Sequence, residues 1–177
     1  MATLITISKL DAAKRQLDAY IRLYFYSGDP VAMHTLVAAA FGIIRDLNRK
    51  RGGSPTIQES LLQHVKPEHM DMVRGKLTEA QNFFKHADRD HGSSLDFYPD
   101  STELVAFDAS VKYSELTGEV PPLFQIFNGW MMISHPDMFD YPPDRRRELE
   151  SAAATFLPTG KGAYFKDMLP LVMQNGA

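Results

Sequence analysis

The chain has no cysteine among its 177 residues. Disulfides, thiolate catalysis and Cys-based zinc sites are therefore excluded, and the absence fits a reducing compartment. A surplus of either charge is missing too: 19 Lys and Arg stand against 22 Asp and Glu, a formal net charge of -3. A dedicated nucleic-acid binder draws its affinity from a basic surplus, so strong non-specific binding to RNA or DNA is not expected. No long hydrophobic run occurs. The most apolar window, 121–134, is too short to span a bilayer and is interrupted by Gln125 and Asn128. The opening MATLITISKLDAAKR has no basic start leading into an apolar stretch, so neither a signal peptide nor membrane attachment is expected, and a cytoplasmic protein is.

Alternating apolar and polar residues are also scarce. Only Leu4 to Ile7 reads as a short strand, and it reads equally as a loose tail. There is no repeat at a solenoid period. The P-loop, GxGxxG, HExxH, the ExxH pair of di-iron bundles and the GxSxG elbow are all absent. The TGKG at 159–162 reads as a helix entry rather than an anion cradle.

What is present is an ordinary globular composition, 44% hydrophobic and 23% charged. A single domain of this length buries roughly 70% of its unfolded surface without metal or disulfide. Helix signals fill it. Ser8 caps a helix running to Tyr26, with Leu10, Ala13, Leu17, Ile21 and Phe25 as its stripe and Gly28 as its stop. Asp29-Pro30 opens a second to Lys50, apolar on nearly every side from Val31 to Ile44, which marks it as the central buried element. A short helix is expected over Ile57 to His64. A longer one runs from Pro67 to His91, with Gly92 as a left-handed cap. Phe97 and Tyr98 should pin the following loop to the core. Asp100 and Glu103 form a capping-box pattern for a helix over Ser101 to Thr117. Pro121-Pro122 and Pro142-Pro143 open two more, and a last helix fills Gly162 to Met173 with a kink at Pro170. The fold class is all-α, a bundle of six to eight helices.

Three places carry polar chemistry. In NFFKHADRDH, a helix would put Glu79, Asn82, His86 and Asp90 on one face, although Asp88 and Asp90 in a last turn oppose the helix dipole. His34 is the titratable side chain in the apolar half of the second helix, so an acceptor should face it. Asp108 lies in the apolar stretch LVAFDASV and wants a histidine or arginine opposite. If the second and fourth helices run antiparallel, His34 and His86 meet in one pocket, with Asp90 and Asn82 in reach. Two histidines and one acid make a poor metal cage, so no metal and no cofactor are expected. Arg49, Lys50 and Arg51, with Arg145 to Arg147, are the candidate phosphate-binding residues.

The segments DPVAMHTLVAAAFGIIRDLNRKRGG, NFFKHADRDH and SLDF together resemble a family of uncharacterised bacterial helical proteins. The resemblance implies a bacterial, cytoplasmic, all-α protein and names no activity. The AsnPhePheLysHis run looks more loosely like HEPN bundles, several of which are RNA-cleaving toxins or defence proteins. Their nuclease motif places a histidine a few residues after an Arg–polar pair. Arg45-Asp46 has none there, and Arg74 precedes His86 by twelve residues. The expected function is a binding or interaction module. The apolar helix at 121–134, read as an interface, predicts a homodimer. The alternatives are a helical hydrolase or ribonuclease using the His/Asp site, and a structural subunit of a larger assembly.

Overall fold

Capping side chains set the starts of three helices. Ser8 accepts from the Asp11 amide and Asp11 answers the Ser8 amide, opening α1 (Lys9–Phe25). Asp29 accepts from Ala32 at 2.8 Å and Pro30 supplies the first turn of α2 (Pro30–Lys50). Between them Ser27 takes the left-handed conformation (φ 54°), and Gly28 is needed because a Cβ there would sit 2.9 Å from Leu23 Cβ. The computed structural model describes residues 4–86 and 91–175. Among these are eight α-helices and no strand: α3 (Ile57–Leu62), α4 (Met70–Phe83), α5 (Ser101–Thr117), α6 (Pro122–Ser134), α7 (Pro143–Phe156) and α8 (Gly160–Asn175) follow. Leu4 to Ile7 forms no strand and is exposed.

α2 lies between α1 and α5, which makes it central. Val37, Ala38, Ala40, Phe41 and Ile44 are buried, while Val31 is exposed and Ala39 and Ile43 are half-buried. By length and composition α2 is apolar enough to cross a bilayer. Its apolar surface goes instead to α1, to α5 and to the cavity described below. α6 is more completely enclosed, with seven of its 13 residues buried. Its aromatics interlock with α1 and α8. Phe127 stands edge-on to Tyr20 and Tyr24, and Phe25 stacks on Phe165 at 4.7 Å. Trp130 Nε1 donates to the Tyr24 hydroxyl at 3.1 Å, so the buried indole is satisfied. The apolar surface that suggested an interface is therefore spent inside one chain.

Asn48 closes the end of α2. Its Nδ2 donates to the Ser54 carbonyl at 2.7 Å, and a Cβ on Gly53 would lie 2.0 Å from its Oδ1. Two local expectations fail. The Asp100–Glu103 capping box does not form, because Asp100 is itself helical (φ -61°, ψ -27°). The first amides of α5 bond to the carbonyls of Tyr98, Pro99 and Asp100 instead. α4 stops at Phe83 rather than His91, and Phe84 and Lys85 form its final turn. Gly92 consequently lies outside any cap and has no left-handed conformation. Asp88 and Asp90 lie outside the described residues.

Candidate functional site

No residue of α3 or α4 is buried. These two helices and the strap at 92–99 form a cover over the bundle, held at its two ends. At one end the links are polar. Thr56 and Glu59 form a capping box, Arg49 of α2 donates to Glu59 at 2.8 Å, and the Ile57 amide donates to Asp108 Oδ2 of α5 at 2.9 Å. At the other end the links are aromatic. His34, Phe84 and Phe97 form a triangle of edge-on rings with centroids 5.1 to 5.7 Å apart.

Between the two ends lies a cavity of about 360 Å³. α5 contributes Ser101, Leu104, Val105 and Asp108, one helical stripe at i, i+3, i+4 and i+7. α2 contributes His34 and Phe41, two turns apart, while its Ala38 turns into the core. The cover contributes Ile57, Leu61, Leu77 and Ala80, and the strap Leu95, Phe97 and Tyr98. Phe97 does pin the strap, whereas Tyr98 is exposed at the rim. The walls are mainly apolar with polar groups at the ends, the composition of a small-molecule site.

His34 and Asp108 are the two titratable groups of these ends that the sequence singled out. His34 Nδ1 lies 2.9 Å from Thr102 Oγ1, the acceptor or donor its position demanded. Burial, then the charge of Lys85, lowers its pKa, so the ring is neutral at pH 7. Its Nε2 has no protein partner among the described residues. Asp108 is 5% exposed, and burial raises its pKa against the Ile57 amide and Lys112, which lower it. Among the described residues neither a histidine nor an arginine pairs with it. His34 and Asp108 thus share a cavity without touching.

The pocket shared by His34 and His86 does not form. His86 and Asn82 are exposed and line a separate open cleft with Glu79, Asp71 and Met72. Glu79, Asn82 and His86 share this cleft, and of the three only Glu79 also borders the cavity that His34 lines. Asp90 lies outside the described residues. No group of three or more His, Asp or Glu converges on a metal-sized space among the described residues. Of the phosphate candidates, Arg49 is held by Glu59 and Arg51 donates to the Leu116 carbonyl, leaving Lys50 exposed. Arg145, Arg146 and Arg147 are each paired with carboxylates, among them Glu148, Asp137 and Asp144. Arg45 lines a different cleft with Arg49 and Arg74.

Sequence reasoning missed Thr102 and the Ile57 amide as partners. Both are contacts across more than fifty residues, and one is to backbone. The chain matches no protein-family model, no curated protein and no solved structure. Neither resemblance drawn from the sequence therefore gains support from a matched relative.

Proposed function

We propose that the protein binds a small, largely apolar molecule between the bundle and its cover. The observation that carries this is the partly open cavity of about 360 Å³, lined mainly by apolar side chains, with His34 and Asp108 among its polar groups. An apolar cavity of about 150 Å³ already accepts benzene, and ligand sites start near about 300 Å³. The cover has no buried residue of its own, so it opens without dismantling the core.

Binding is favoured over hydrolysis by the geometry of the hydroxyl–histidine pair beside the cavity. Thr102 sits within hydrogen-bond reach of His34, as a nucleophile beside a base would. Thr102 is buried and does not line the cavity, and among the described residues no carboxylate orients the His34 ring. A bound molecule meets the imidazole and not the hydroxyl.

Calorimetric titration with n-octanol tests this reading. At about 0.6 kcal/mol per non-hydrogen atom, within the range for small ligands, octanol binds with a dissociation constant of roughly 0.1 mM. Ala80→Trp fills the cavity from the cover without entering the core, and should abolish the binding while the helical circular dichroism stays. Octanol binding that survives Ala80→Trp, or none in the native chain, ends the proposal.

A further inference from the structure

We infer that the ligand is a cationic amphiphile, an organic ammonium ion with an apolar body, whose charged head sits on Asp108. This inference rests on the binding reading above and names the chemistry of its ligand.

Asp108 is a buried carboxylate on the cavity wall with no ion-pair partner among the described residues. One oxygen accepts the Ile57 amide at 2.9 Å, and the other accepts no hydrogen bond from a described residue. The ammonium best placed to neutralise it, Lys112 one turn along α5, is committed elsewhere: it donates to Ser54 at 2.6 Å and Glu115 at 3.0 Å. The other charges acting on Asp108, Glu115 and Glu59, are acidic. A buried acid left like this is costly unless a cation joins it.

The rest of the lining has the same sign. Glu79, Asp96 and Asp108 stand against Lys76, three carboxylates to one ammonium, and Lys76 is already bound to Glu79 at 2.8 Å. His34 adds no charge because its ring is neutral. Phe41, Phe97 and Tyr98 supply ring faces, which attract cations and cover apolar bodies. Thr102, which holds His34, and Asp108 are six residues apart on α5, about 9 Å of helix rise. An eight-carbon chain spans that length, with its head at Asp108 and its tail beside the His34–Phe84–Phe97 triangle.

The test is calorimetric titration of the full chain at pH 7.5 with three eight-carbon ligands: octylammonium, octanol and octanoate. Octylammonium should bind about tenfold tighter than octanol, the scale of a charged hydrogen bond in a buried site, and octanoate should bind weaker than octanol. Asp108→Asn keeps an oxygen for the Ile57 amide and removes the charge. It should bring octylammonium down to the level at which the same variant binds octanol. Asp96→Asn, on the exposed strap, should keep most of the preference. Equal binding of octylammonium and octanol by the native chain overturns the inference and leaves the cavity reading intact. So does a preference that survives Asp108→Asn, or one that Asp96→Asn abolishes. If none of the three ligands binds, it is the cavity reading that fails. Should Asp108→Asn not fold, the native chain and Asp96→Asn decide the matter alone.

Discussion

The division into core and cover has a quantitative consequence that two truncations expose. Phe127→Ala removes a ring that is fully buried and stands edge-on to Tyr20 at 5.6 Å and Tyr24 at 5.3 Å. Deleting a buried phenylalanine costs about 3–5 kcal/mol, and each aromatic pair adds about 0.5–1.5 kcal/mol beyond burial. The loss should fall near the top of that range, about 5 kcal/mol. Leu77→Ala acts on the cover. Leu77 is half-buried and already borders the cavity, so its removal enlarges an existing space rather than opening a new one. Only the transfer of part of its surface is lost, about 1–1.5 kcal/mol. Urea denaturation followed by circular dichroism reads both, and an unchanged slope certifies that stability alone moved. Equal losses from the two substitutions would refute the division, because α4 would then be as much a part of the core as α6.

Three further outcomes follow from the same geometry. Amide hydrogen exchange should show α3 and α4 opening at lower free energy than α1 and α6; uniform protection would contradict a cover held by its ends. His34 has a folded pKa below its ordinary 6.5, so the unfolded chain takes up a proton the folded chain refuses. Stability should therefore fall as pH drops below 6.5 until the folded value is passed, and His34→Gln, measured by urea titration across that window, should flatten the fall. Asn48→Ala should cost about 1–3 kcal/mol, since a buried partner of the Ser54 carbonyl is lost; an unchanged thermal midpoint would show that water replaces it.

The sequence was most legible where signals are local. Ser8, Asp29-Pro30, Pro122, Pro143 and Gly118 each mark a boundary through backbone chemistry that acts within one turn, and each boundary is found. The failures are of another kind. α4 continues in pattern through Phe84 and Ala87, but it ends at Phe83, where the Phe84 ring meets His34 and Phe97. Asp100 fits a capping box in spacing, yet the strap enters α5 already turning, so the cap position it would occupy does not exist. His34 and Asp108 stand out in the sequence as polar groups in apolar surroundings, and Asp108 meets the Ile57 amide rather than the expected histidine or arginine. Which partners they take depends on how α3 and α5 lie across α2, and no periodicity encodes that.

That placement explains why a cavity survives at all. A cover attached by apolar burial would close down on α5, because every contact made would favour the next. This cover is attached by directional links instead. The Ile57 amide meets Asp108, Arg49 meets Glu59, and three rings meet edge to edge around His34. Hydrogen bonds and edge-on rings fix distances rather than minimise them, so they hold the cover at a set height. The apolar stripe of Leu104 and Val105 is left facing Leu77 and Ala80 across open space. The cost is apolar surface left unburied in the empty protein, and a bound molecule recovers it. On this argument, replacing a directional link by an apolar one should collapse the site. Asp108→Leu is expected to lose octanol binding even though it adds hydrophobic surface and removes a buried charge. Retained octanol affinity in Asp108→Leu would mean that something other than these links holds the cavity open.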